Sequence, residues 1–160
     1  MDNGLLLPPK TPEDRAELME FYKTYLNSIE VTTNRRQQSN QFYIGLLTAL
    51  LGIIGLIFKN DMFSPMLQSF LLMLGGMLGL MLCFLWRQYI ISSVLLNTAK
   101  FKVLGEMEER LDERPFMAEY EWLNNNNYVG LGKIEEKLPW MMMVPYVIMI
   151  GFGFALLAAL

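Results

Sequence analysis

The stretch Met62 to Trp86, MFSPMLQSFLLMLGGMLGLMLCFLW, carries not one Asp, Glu, Lys or Arg. As a helix rising 1.5 Å per residue it is long enough to cross a hydrocarbon core of about 30 Å. On either side of it, Phe42 to Phe58 and Leu138 to Leu160 are equally free of charge. No water inside a bilayer pairs with backbone N–H and C=O groups, so all three runs are expected to be helical whatever their β-branched content. The pattern predicts an all-α integral membrane protein. It divides into an N-terminal amphipathic helix over 1–41, a transmembrane hairpin over 42–86, a polar helical region over 87–137 and a third transmembrane helix over 138–160.

The rest of the composition narrows the function. The net charge of −3 and the lack of any basic block argue against a nucleic-acid partner. Cys83 is the only cysteine and falls within the second span, so no intrachain disulfide or cysteine metal cluster can form. There is no histidine, and the usual activated-nucleophile arrangements are out of reach. No catalytic, cofactor-binding or metal-ligating residues are expected. The acidic cluster Glu106, Glu108, Glu109, Asp112 and Glu113 alternates with Arg110 and Arg114, and reads as a solvated helix face with i,i+4 pairs rather than a cation site.

Orientation follows from the cations. Of the 13 Lys and Arg residues, all but Lys59 precede the first span or lie between the second and third. The N-terminus and the long connecting region are therefore expected in the cytoplasm, with the turn Lys59-Asn60-Asp61 on the far side and Leu160 buried at that far face. Arg35, Arg36 and Arg87 mark the cytoplasmic boundary, where Phe42, Tyr43, Trp86, Tyr89 and Trp140 form the aromatic belt. The first apolar run follows a helix-like charged segment and lacks a small-residue cleavage pattern, so it reads as a retained span.

Along the chain, Met1 to Lys10 reads as flexible or extended. At Thr11-Pro12-Glu13-Asp14 a helix starts, capped by Thr11. Leu18, Phe21, Tyr22, Tyr25, Leu26 and Ile29 then recur at three-to-four spacing. The second span has no breaker at its polar end, and the pattern continues through Val94, Phe101, Leu104 and Met107 to Leu111. A single helix over Met62 to Leu111 is expected, ended or bent by Arg114-Pro115. A short helix over Phe116 to Leu123 precedes the Asn124 to Asn127 break, and Ile134-Glu135-Glu136-Lys137 leads into the third span, kinked at Pro139 and Pro145.

Small and polar residues in the spans point to association. Gly52 and Gly55 in span one, and Gly75, Gly76 and Gly79 in span two, let helix backbones approach closely. The plainer reading is the glycine enrichment general to membrane helices. Thr48, Ser64 and Gln68 are the polar groups that hydrocarbon tolerates least, and are candidates for interhelical bonds or a pore lining. No ionisable residue lies in a span, which argues against a proton relay or an ion-coupled transporter.

Asn34-Arg35-Arg36 through Asn40-Gln41-Phe42-Tyr43, Trp86 with Tyr89-Ile90-Ile91-Ser92-Ser93, Leu96 to Phe101 with Glu106, and Lys133-Ile134-Glu135 before Pro139 together resemble the RipA family of small bacterial inner-membrane proteins. The resemblance covers most of residues 20 to 150. It implies a homo-oligomeric, octameric ring with a large cytoplasmic part, linked to envelope homeostasis or survival inside a host cell. The chain is also similar to the octameric membrane pore protein that accompanies some type VI CRISPR effectors. That group's discussed nuclease-like Arg-to-His motif cannot be supplied here. Two-span membrane effectors of bacterial defence systems are a looser likeness, from which the third span departs. The expectation is a non-enzymatic, multi-pass bacterial inner-membrane protein whose partners are further copies of itself and membrane lipids, working in envelope homeostasis or membrane assembly. The alternative is a channel or pore-forming defence effector.

Overall fold

The computed structural model describes residues 11–59, 63–111 and 114–160, and every regular element among them is helical. The extended N-terminal segment, the turn residues Asn60 and Asp61, and Asp112 and Glu113 of the acidic cluster lie outside the described residues. Five helices follow in order: α1 over Pro12–Lys59, α2 over Pro65–Leu111, α3 over Pro115–Asn125, α4 over Leu131–Glu135 and α5 over Leu138–Ala158. Three segments are long and apolar enough to cross a membrane: one within α1, one within α2, and one spanning α4 and α5.

Local chemistry accounts for the element ends. At the start of α1, Thr11 Oγ1 accepts the Asp14 N–H at 3.1 Å while the Thr11 N–H donates to Asp14 Oδ2 at 3.0 Å. That reciprocal pair satisfies two otherwise orphaned donors. At the start of α2, Ser64 Oγ accepts the Leu67 N–H at 3.4 Å and Pro65 stands where no N–H is needed. α3 closes with Asn127 in the left-handed region at φ 53°. The Tyr128 N–H then reaches Leu123 O at 3.0 Å and the Asn127 N–H reaches Asn124 O at 3.2 Å. This is the Schellman arrangement, with asparagine in glycine's usual place.

One line of buried positions on α2 runs Ser69, Leu72, Gly76, Gly79, Cys83, Trp86, Ile90, Ser93, Asn97, Leu104, Met107 and Leu111, with half-buried Lys100 filling the one gap and Gly75, Gly105 and Glu108 buried beside it. The steps alternate three and four without a break, the 3.5-residue repeat of a left-handed coiled coil. On α1, Tyr22, Ile29 and Arg36 are buried seven apart, then Asn40, Leu47 and Ile54 seven apart, the two sets joined by a step of four.

The chain divides into two compact units. The first comprises Met1–Arg36 and Ser92–Gly130. Its core is Tyr22, Ile29, Leu104, Met107 and Leu111, flanked by Leu18, Tyr25 and Val103. Arg15 donates from Nη2 to Leu111 O at 3.1 Å, placing a cation on the carbonyl end of α2. The second unit comprises Gln37–Ile91 and Leu131–Leu160 and contains the apolar segments. Here small residues of α2 meet α5: a Cβ on Gly79 would overlap the Tyr146 ring, one on Gly76 would lie 3.1 Å from Tyr146 O, and one on Gly153 would lie 3.1 Å from Ser69 O. Glycine is required at these positions because the facing helix already occupies the space.

Candidate functional site

Among the described residues no three His, Cys, Asp or Glu side chains come together in a way that could hold a metal ion. What the structure does concentrate is polar side chains on the seam positions of α1 and α2.

In the membrane-length unit, Trp86 is fully buried on α2. Its Nε1–H donates to Asn40 Oδ1 at 2.8 Å, and its ring stacks on Tyr43 at 5.8 Å and 12°. A boundary tryptophan facing headgroups would be exposed; this one faces protein. Trp140 on α5 is exposed, and the Arg87 guanidinium lies 5.5 Å above its ring. Arg35 is exposed and Arg36 buried. Tyr146 is likewise fully buried, and its hydroxyl donates to Leu47 O at 2.7 Å. The phenol thereby finds an acceptor in surroundings where an unpaired hydroxyl would cost roughly 1–3 kcal/mol.

The other polar candidates are dispersed. Thr48 and Ser64 are exposed, the latter engaged at the start of α2. Gln68 is half-buried in an apolar cleft of about 200 Å³ among Leu50, Ile53, Ile57, Leu71 and Leu74, and no hydrogen bond holds its amide among the described residues. The glycines divide. Gly75 faces Ile54, and Gly76 and Gly79 face α5, whereas a Cβ on Gly52 or Gly55 would meet nothing within 4 Å.

In the other unit, Lys100 on α2 donates from Nζ to Ser28 O at 2.9 Å, Ser28 Oγ at 2.7 Å and Thr32 Oγ1 at 2.6 Å. All three ammonium protons are thus engaged by neutral oxygens of α1. One turn earlier, Asn97 Nδ2 donates to Thr33 Oγ1 at 3.1 Å. Glu108 overturns the reading of the acidic cluster as a solvated face. It is fully buried, and it accepts from Tyr22 Oη at 2.9 Å, from the Phe116 N–H at 3.0 Å and from the Met117 N–H at 3.0 Å. A carboxylate at the N-terminus of α3 meets both the orphan amides and the positive end of the helix dipole. The cause is position: Glu108 lies beside the seam residue Met107, while Glu109, one step further round, is exposed and pairs with Arg114 at 3.8 Å. Burial and the Glu108 contact push the Tyr22 phenol up to about 12.

Asn40, Lys100, Glu108 and Tyr146 were not singled out from the sequence as holding helices together. For Lys100 and Asn40 the signal is the 3.5-residue register, since Lys100 sits squarely on the α2 seam and Asn40 on that of α1; Glu108 lies beside the seam and Tyr146 on α5, where that register does not mark them.

A family model matches residues 19–155, described as the octameric membrane protein family. The chain belongs to that family. The match takes in every polar contact described above except the three hydrogen bonds at the start of α1, made by Thr11, Asp14 and Arg15. Neither the comparison with curated proteins nor that with solved structures finds a match. Membership makes the protein a membrane protein of an octameric class, in keeping with its three membrane-length helices.

Proposed function

We propose that this protein is a non-enzymatic homo-oligomer of the bacterial inner membrane, acting in envelope homeostasis or membrane assembly, with its N-terminus and the Ser92–Gly130 segment in the cytoplasm. The observation that carries this reading is where the polar chemistry goes. Trp86 with Asn40, Tyr146 with Leu47 O, Lys100 with Ser28 and Thr32, and Glu108 with Tyr22 and α3 all join one helix to another. Polar groups bonded in this way specify register and hold a scaffold; they are not presented to a substrate. The cation distribution supports the orientation. The test is native mass spectrometry of gently extracted protein, followed by solute efflux from liposomes carrying it. An assembly of eight chains without efflux fits the scaffold; steady efflux sinks it.

One observation favours a second reading, a pore. Gln68 presents an amide in an apolar cleft, where an unsatisfied amide is costly, so any hydrated path between protomers is expected to pass it. Leucines surround it and no charged ring accompanies it, so such a path is expected to be closed at rest. Single-channel recording of the wild type beside Gln68→Leu and Gln68→Glu separates the readings. A steady wild-type current unaltered by either change removes Gln68 from the path.

A further inference from the structure

The unit comprising Met1–Arg36 and Ser92–Gly130 leaves two apolar faces uncovered. One is a groove of about 240 Å³ between α2 and α3, walled by Phe101 and Lys102 on one side and Phe116, Met117 and Tyr120 on the other. Its floor depends on Gly105, where a Cβ would lie 2.9 Å from Met117 Sδ. Glu108, bonded to the first amides of α3, fixes the far wall. Tyr120 is 65 % exposed and Phe101 46 %. The second is on α1, where Phe21 and Val31 stand exposed on one side of the helix with the Thr24 hydroxyl between them.

Lipid is a poor cover for either, because both are rimmed by charges that hydrocarbon excludes: Lys102 at the groove, and Glu17, Glu20 and Lys23 around Phe21. A closed ring of identical chains is built from head-to-tail contacts, so each copy must present two different faces to its neighbours. Lys102 is the charged side chain in the groove wall, and Glu17 and Glu20 precede Phe21, so opposite charges are available to meet across such a contact.

Resting on the octameric assembly of the family, we propose that the α2–α3 groove of one copy receives the α1 face of the next, with Phe21 seated among Phe101, Phe116 and Tyr120 and with Lys102 facing Glu17 and Glu20.

The test uses the full-length chain in native membranes with Cys83→Ala. Phe21→Cys and Tyr120→Cys chains carrying different tags are co-expressed and treated with a short bis-maleimide. The expected result is a cross-linked pair containing both tags, neither variant cross-linking alone, and a ladder of products when both cysteines occupy one chain. In the cysteine-intact background, Lys102→Glu is expected to raise the protein concentration at which the octamer dissociates by roughly fivefold, with recovery on adding Glu17→Lys and Glu20→Lys. Self-cross-linking of either single variant, or an octamer that persists without mixed-tag products and is indifferent to the charge changes, overturns the assignment and leaves the octamer standing. A wild-type chain that is monomeric by native mass spectrometry removes instead the reading on which the proposal rests.

Discussion

Glu108 holds three donors from two directions, and the consequence is specific. Glu108→Ala strands Tyr22 Oη and two amides of α3 in a buried place, at a cost of roughly 2–4 kcal/mol, whereas Glu108→Gln keeps one acceptor and is expected to lose less. Thermal unfolding in detergent ranks the two variants, and hydrogen exchange at Phe116 to Tyr120 locates the loss. If α3 exchanges no faster in Glu108→Ala than in the wild type, the carboxylate does not anchor it. Tyr22 supplies a pH test. Its folded pKa, about 12, lies above the ordinary 10.0, so its contribution is fully present below pH 10 and falls as pH rises through 12. Subtracting a Tyr22→Phe variant's unfolding midpoints from those of the wild type should therefore leave a difference that is flat below pH 10 and declines above it. A flat difference throughout would rule out the proposed linkage.

At the scale of elements, the glycines of α2 make the sharpest distinction. Gly79→Ala forces the Tyr146 ring aside and with it the hydrogen bond to Leu47 O, an overpacking cost of about 1–3 kcal/mol. Gly52→Ala meets nothing in the protomer and is expected to leave its stability unchanged or slightly raised. Melting both variants in the same detergent tests the contrast, and equal losses would mean that Gly52 is packed against something outside the protomer. Lys100 makes a different kind of contribution. A lysine on a coiled-coil seam costs stability and selects register, so Lys100→Met is expected to melt no lower than the wild type while weakening the preference for the native pairing of α1 with α2. Disulfide trapping between Ile29→Cys and Leu104→Cys or Leu111→Cys, in a Cys83→Ala background with Lys100 kept or changed to Met, reads the register directly. A substantially lower melting temperature for Lys100→Met would show that the lysine contributes net stability instead.

For the molecule as a whole, topology and assembly carry the predictions. Asn60→Cys in a Cys83→Ala background should react with an impermeant maleimide only from the extracytoplasmic side, as the cation distribution requires. Labelling from the cytoplasm alone would invert the model. Mild extraction should yield a species of eight times the 18.5 kDa chain mass. Since α1's polar half leaves Phe21 and Val31 exposed while burying Tyr22 and Ile29, truncating residues 1–36 is expected to break the octamer as well as the unit's own core.

Much of the fold is legible in the sequence. A charge-free run as long as Met62 to Trp86 can satisfy its backbone in a membrane only as a helix, so the three spans follow from composition. Thr11, Pro115 and the Asn124 to Asn127 break set element ends, because capping and turn chemistry act within a few residues, whereas the helix expected from Met62 begins only at Pro65, behind the Ser64 cap. What lies between distant residues was not legible in the same way. Trp86 reads as an aromatic residue at the membrane boundary, and only the fold shows that Asn40, 46 positions earlier, accepts its N–H. Glu108 looks like a solvated acid until Tyr22 and the start of α3 are brought to it, and Gly76 and Gly79 cannot be told from Gly52 and Gly55 until α5 lies against one pair and leaves the other open. Local sequence determines which segments are helices because backbone hydrogen bonding is local; only the tertiary structure decides which face of each helix is filled, because the atoms that fill it come from another helix.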